Sequence, residues 1–466
     1  LALAKIRYDL WLLFLPIMQF PKFYQLLAFL VMLLATLGLG YGVEQSSFPR
    51  IICCYGAFFF VYIWQVNTAK PADLTFWIGV AILLRLALVG AFPALSDDIY
   101  RFVWDGRLWL AGQNPFDHLP VWYLEEGHHL PGLGQALFNE LNSPEYYTIY
   151  PPVAQGLFAF ACWLSPNSVW GAAVVMQVFL LLMEVGTIFL LLALLREWGL
   201  PASRVLWYAL NPLIIVEVVG NLHFEGAMIF FLLLGLWLLL RWWREGKGWT
   251  FFASAGAMAL AVASKLLPLL FFPFLIRRLG WKRSFGYFTI LGVILMLTWW
   301  PLVSSVFLKN FGSSVNLYFQ QFEFNGSLYY VIRWVGLQVS GFNLIRFIGP
   351  VLAILVFVTI TGRALQERAS EVWAELPGRW LFAIGIYLFC ATTVHPWYTA
   401  LPLVLCLFTP YRWPVVWSGM ILLTYINYSY PEYYENLWIV GLEYIVVLLW
   451  GTWEVWTQKE ANRFVN

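Results

Sequence analysis

Residues 73–107 read DLTFWIGVAILLRLALVGAFPALSDDIYRFVWDGR. An apolar run broken only by Arg85 gives way to Asp97, Asp98, Arg101, Asp105 and Arg107 within a dozen residues. The whole 466-residue chain is 61% hydrophobic and only 11% charged, against about a quarter charged in soluble domains. The run therefore reads as a helix in lipid, and the ionic cluster as the boundary where the chain meets water. An all-α polytopic membrane protein is the expected fold class.

Working outward, apolar windows recur near 24–43, 50–67, 73–95, 169–195, 205–220, 224–243, 250–264, 266–277, 284–306, 341–361, 380–394, 397–410, 413–428 and 437–456. They predict about 12 to 14 transmembrane helices, with 8–20 as an interfacial segment. With the N-terminus inside, the outer segments hold only Arg50, Arg101, Arg107, Lys309 and Arg333, and the inner ones hold most of the other cations. That asymmetry follows the positive-inside rule. It places the long loop 96–150 outside, in the periplasm of a bacterial inner membrane, and makes 149–165 a juxtamembrane helix lying along the outer surface. We expect an N-terminal membrane hairpin over 1–72, a catalytic transmembrane module over 73–306 that includes the outer loop 96–168, and a C-terminal transmembrane region over 307–466. A net charge of +2 points to neither nucleic acid nor a polybasic tether. Cys53, Cys54, Cys162, Cys390 and Cys406 lack metal-ligand spacing and read as buried thiols.

The topology brings distant polar segments to one face. Asp97 and Asp98 follow one helix, GNLHFEG carries Asn221, His223 and Glu225, ASKLLP carries Lys265, FEFNGSLYY carries Glu323 and Asn325, and TTVHPWY carries His395, Trp397 and Tyr398. Singly, each reads as a solvated loop end, a satisfied polar pair or an aromatic belt residue. Together they suggest an outer cavity. A carboxylate pair supplies a general base, cations hold a phosphate leaving group, and aromatic faces suit a sugar ring or prenyl chain. No Walker loop, HExxH, GxSxG or CxxC pattern competes.

These residues resemble the polytopic GT-C glycosyltransferases, particularly bacterial mannosyltransferase-like members that use polyprenyl-phosphate sugars. The motifs carrying the resemblance are Asp97-Asp98 with IYRFVWDGRLWLAGQNPF, YTIYPPVAQ, LNPLIIVEVVGNLHFEGAM, SKLLPLL, FNGSLYY and VHPWY, in order over roughly 73–400. The resemblance implies a GT-C fold and an inverting hexosyltransferase, mannose by the family's example. Its donor would be a polyprenyl-phosphate sugar, and its acceptor a lipid, glycan or protein hydroxyl. It assigns Asp97 as base and Asp98 as orienting acid. Arg101, Lys265, His395 and Tyr150 become candidates for the donor phosphate and lipid, and Trp104, Asn221, His223, Glu225, Asn325, Trp397 and Tyr398 for substrate contacts. Relatives that transfer aminoarabinose carry lysine before the paired prolines, where this chain has Tyr150 before Pro151-Pro152. That departure weakens the aminoarabinose reading. With no third oxygen ligand beside Asp97 and Asp98, a mechanism without metal or other cofactor is the expectation. A transporter or lipid flippase is the alternative, resting on the intramembrane charges Arg85, Glu184 and Glu443, and a noncatalytic assembly subunit is a third reading.

Overall fold

The computed structural model describes residues 22–367 and 372–465. Numbering its helices of ten or more residues, α1 is Phe23–Tyr41, α2 Phe48–Thr68, α3 Leu74–Leu86, α4 Asp98–Leu110, α5 Pro152–Leu164, α6 Val169–Glu197 and α7 Glu225–Glu245. Then follow α8 Gly248–Ser264, α9 Trp281–Trp299, α10 Phe307–Gln320, α11 Leu328–Ser340, α12 Ile345–Gln366, α13 Leu376–Cys390 and α14 Leu437–Val465. Among the described residues no sheet forms, and β pairing is limited to isolated bridges. The chain is an all-α polytopic membrane protein. The expected interfacial segment 8–20 lies outside the described residues.

Seven described helices are long and apolar enough to cross a bilayer, or eight if one bent pair is a single span. The difference from the predicted count has a physical cause: hydropathy reports composition, whereas spanning needs unbroken length. The window 73–95 is a helix of only 13 residues followed by turns, and 205–220 is bent by 59° between Ala202–Ala209 and Ile214–Gly220. Windows 266–277, 397–410 and 413–428 are each split between α and 3₁₀ turns. Proline at the first or second position marks several of these breaks. Of the cysteines, Cys162 and Cys406 are buried, Cys54 and Cys390 partly so, and Cys53 is exposed.

The loop 96–150 and α5 join the hydrophobic core of the bundle, through residues such as Trp104, Tyr123, Leu137 and Phe158. At 13 residues, α5 is too short to span and packs on α4. Gly106 permits the contact, since a Cβ there would sit 2.4 Å from the Phe158 carbonyl oxygen. Asp105, fully buried, accepts from Arg101 Nε (2.9 Å) and Gln155 Nε2 (2.9 Å).

Inside the bundle, Arg85 and Glu184 form a buried ion pair. Arg85 Nε and a terminal guanidinium N–H donate to Glu184 Oε2 (3.1 and 3.0 Å), and Tyr208 donates to Oε1 (2.7 Å). The other terminal nitrogen donates to the carbonyls of Ala81 and Ala209. Gly226 lets α7 approach this pair, because a Cβ there would meet Val218 at 2.4 Å. Of the charges on which the transporter reading rests, Arg85 and Glu184 are thus engaged in holding helices together.

Candidate active site

Asp97 is the N-cap of α4 and Asp98 its first residue. Asn142 Nδ2 donates to Asp98 Oδ1 (2.9 Å), tying the end of the long loop to the acid pair. The Asp97 carboxylate accepts no hydrogen bond from a described residue and reaches solvent. Loss of water to the surrounding protein, then the nearby charges of Asp98 and Glu140, hold its carboxyl above the ordinary carboxylate range. A carboxylate with raised affinity for a proton is a better general base.

The approach to this pair is shaped by the stretch NPLIIVEVVGNLHFEG, residues 211–226. Pro212 cannot continue the preceding helical ladder, and the chain re-forms as a π-helix over Ile214–Gly220, a form frequent at functional sites. The wider turn places Glu217 as a buried hub. It accepts from Asn221 Nδ2 (3.2 Å) and from the Tyr425 hydroxyl (2.9 Å), and its Oε2 lies 3.2 Å from His223 Nε2. Asn221 Oδ1 in turn accepts from the Leu95 N–H (3.2 Å). The hub therefore fixes the backbone two residues before Asp97.

Beyond the hub lies a stack of rings. His223 lies on Trp397 (centroids 3.6 Å), Trp397 on His395 (4.6 Å, interplanar 3°), and His395 on Phe324 (4.8 Å). Lys265 forms an ion pair with buried Glu225, and its ammonium sits 4.3 Å from the centre of the Tyr398 ring. Burial first, then the Lys265 charge and His223, holds the His395 imidazole well below the histidine range, at about 3. At neutral pH this ring is uncharged. It can donate one hydrogen bond to a phosphate but supplies no positive charge, which falls to Lys265.

Phe324 is held in this stack from behind. Its N–H donates to the Thr392 carbonyl (3.1 Å), and the Val394 N–H to its own carbonyl (2.8 Å). Asn325 is completely buried and is clamped by the start of α14 and the turn before it. Its N–H donates to Glu435, its Nδ2 to Glu443 Oε1 (3.0 Å), and its carbonyl accepts from the Tyr444 hydroxyl (2.6 Å). Leu222 (φ 63°) and Asn325 (φ 51°) are the non-glycine residues with positive φ among those described. Both fall in segments that build the site, where such strain concentrates.

The structure thus brings Asp97, Asp98, Asn221, His223, Glu225, Lys265, His395, Trp397 and Tyr398 to one end of the bundle. Tyr428 links the two halves, lying within electrostatic reach of both Asp97 and Asp98 and 6.4 Å between centroids from Phe324. Three expectations are corrected. Arg101 is not available to a phosphate: besides Asp105 it donates to the carbonyls of Ser143 (3.1 Å) and Tyr146 (2.9 Å) and is 3% exposed. Trp104 is wholly buried against Tyr123 and Phe138, in the hydrophobic core. Asn325 is locked into α14 and its flanking turn, so it shapes the site from behind. Tyr150 packs edge-on against Phe102 and Phe158, in a cluster that also takes Phe224. Glu323 is held by Tyr329, Arg333 and Asn343 at the edge of the same segment. Glu217, Tyr425 and Glu435 are site residues that the sequence motifs do not single out. A lone acid in an apolar run, four residues before Asn221, was the available signal for the first. Among the described residues, no group of three or more His, Cys, Asp or Glu side chains is placed to hold a metal ion.

With this geometry in place, comparison with known proteins is informative. The family described as α-(1→6)-mannopyranosyltransferase, N-terminal domain, matches residues 31–280. The α-(1→6)-mannopyranosyltransferase B of Corynebacterium glutamicum is 26% identical over 173 residues, covering 36% of this chain and 28% of that protein. The alignment spans less than a third of that relative. Asp97, Glu217, His223 and Lys265 lie inside the family match, whereas Phe324, Asn325 and His395 lie beyond it.

Proposed function

The chain belongs to the α-(1→6)-mannopyranosyltransferase family, and on that premise we propose that it transfers mannose from a polyprenyl-phosphate donor to a hydroxyl of a lipid, glycan or protein acceptor, with inversion. The reaction takes place on the outer face of the bacterial inner membrane. Asp97 takes the proton of the acceptor hydroxyl as its oxygen attacks the anomeric carbon. The bond from that carbon to the phosphate oxygen breaks, and polyprenyl phosphate departs. A β-linked donor then gives an α-linked product, in keeping with the linkage in the relative's name.

The observation that carries this reading is the Glu217 hub, which joins the backbone before Asp97, whose carboxylate is unbonded and proton-avid, to the ring stack of His223, Trp397 and His395, with the Lys265 ammonium on the neighbouring Tyr398 ring. Asp98 and Asn142 orient the loop, and Lys265 with neutral His395 receives the phosphate. Ring faces of Trp397 and Tyr398 suit the apolar side of a sugar or the first prenyl units. Glu217 positions the Leu95 backbone through Asn221. No step requires a metal ion, since a phosphate ester is already a competent leaving group.

The test is a transfer assay with purified protein, radiolabelled polyprenyl-phosphate mannose and membrane lipid extract as acceptor. Labelled product whose mannose is released by an α-mannosidase supports the reading. Label that remains on the donor with every acceptor fraction, in protein that is folded, contradicts it.

A further inference from the structure

At the end of the bundle away from the site, a cavity of about 1220 Å³ opens between α13 and α14. Its position follows from connectivity. The last residue of α13, Cys390, leads directly into the 392–398 segment of the site, so the Arg379 end of α13 is distal. Likewise α14 begins just after Glu435 of the site, so Trp456, which lines the cavity, is near its far end. The cavity changes character with depth. Arg363, Glu367, Glu375, Arg379 and Thr409 stand at the distal mouth, and Phe382, Phe389, Trp413 and Leu448 make apolar walls. From Arg379 to Phe389 along α13 the walls run about 15 Å into the helix bundle.

At the rim, Arg363 and Arg379 stand with Glu367 and Glu375. Arg379 donates to Glu367 (3.2 Å) and Glu375 (3.3 Å), Arg278 also pairs with Glu367, and Arg277 donates to the Glu367 carbonyl. The two rim carboxylates are thus engaged by Arg379 and, at Glu367, by Arg278 from behind, which leaves Arg363 as the rim cation not spent on them. Arg363 is exposed and has no described partner. The flanking helices α12 and α14 are both long and apolar enough to span, and both expose large apolar side chains such as Phe357, Val358, Leu449 and Trp453. What surrounds the cleft is therefore acyl chain, and the molecule that matches an open guanidinium at the mouth of an apolar shaft is an amphiphile with an anionic head. We propose that this cleft is a binding site for a membrane phospholipid with an anionic phosphate headgroup, the head at Arg363 and one chain between α13 and α14. The proposal is independent of the transferase reading, requiring only the fold.

Native mass spectrometry of the full chain in detergent, titrated with phosphatidylglycerol, phosphatidylcholine of the same chains, or glycerol phosphate, tests it. We expect phosphatidylglycerol to be retained in preference to phosphatidylcholine. Arg363→Ala should reduce that preference about five-fold, the worth of one cation near an anionic lipid surface. Gly451→Trp, which places a ring in the shaft beside Trp413, should lower retention of both lipids while leaving the helix signal in circular dichroism unchanged. If Gly451→Trp does not fold, Arg363→Ala alone decides. Equal retention of the two lipids, an undiminished preference in Arg363→Ala, displacement of the lipid by glycerol phosphate at equal concentration, or a lipid-free dimer held through this face would each overturn the proposal.

Discussion

Two polar clusters in this bundle are built from similar residues and behave differently. In the Arg85–Glu184–Tyr208 knot every side-chain nitrogen and carboxylate oxygen has a partner. In the cluster around Asp97, key groups do not: the Asp97 carboxylate is unbonded, and His395 Nδ1 is buried without a partner. A buried nitrogen left unpaired, like that of His395, is costly unless something binds it, and the Asp97 carboxylate stands open to solvent. A charge inside a membrane is therefore no sign of function in itself. Polar groups held rigidly yet left open are the better sign, and here they coincide with a strained backbone at Leu222 and Asn325.

The comparison can be broken at either end. The largest effect should come from Arg85→Leu, which strands Glu184 without its countercharge and should destabilise the fold by about 3–5 kcal/mol. In a detergent thermal unfolding scan the midpoint should drop sharply, and much of it should return in Arg85→Leu/Glu184→Leu. Failure of the double variant to recover would mean the knot is more than an ion pair. At the open cluster, Lys265→Ala also strands buried Glu225, so the unfolding midpoint should fall; Lys265→Ala/Glu225→Gln should recover it while the donor KM stays about tenfold above the parent's, the scale of a hydrogen bond to a charged group. An unchanged KM would remove Lys265 from the phosphate.

A smaller effect is expected from Asn325→Ala. It removes the bond to Glu443, about 1 kcal/mol, and puts alanine in a left-handed conformation. As a positioning residue, Asn325 should show a several-fold fall in kcat with donor KM little changed; a pure KM effect would point instead to direct substrate contact. The smallest effect is on pH dependence. Because the folded-state pKa of Asp97 is raised, its charged, basic form is lost as pH falls through a value above the ordinary carboxylate range, and the rate should fall with it. Glu140→Gln removes one of the charges that raise it, so the acid limb should move to lower pH by a fraction of a unit. A limb that does not move would assign it to another group.

Much of this arrangement is readable in the chain. The apolar runs announce a membrane bundle, and Asp97, Asp98, His223, Lys265, His395 and Trp397 can be gathered from loops far apart in sequence because each ends an apolar window on the same side. What the sequence hides is which polar groups are already satisfied. Arg101 and Trp104 look like site residues because they adjoin Asp98, but Arg101 is drawn inward by Asp105 and two carbonyls, and Trp104 by Tyr123 and Phe138. A loop that packs into the core cannot be told from a solvated one by composition. Glu217 escapes notice for the opposite reason. Its neighbours are all apolar, and only the π-helical turn aims it at Asn221, His223 and Tyr425.

The central claim is that Asp97 is the base of a mannosyl transfer, and the most direct measurement compares Asp97→Asn with the parent in the labelled-donor assay, alongside thermal unfolding of both. Since the fold disfavours the charged form of Asp97, the neutral variant should unfold at the same temperature or slightly higher, while transfer falls by about 10²–10⁴-fold, the range for loss of a general base. A folded Asp97→Asn protein that transfers mannose at the parent's rate would contradict the account.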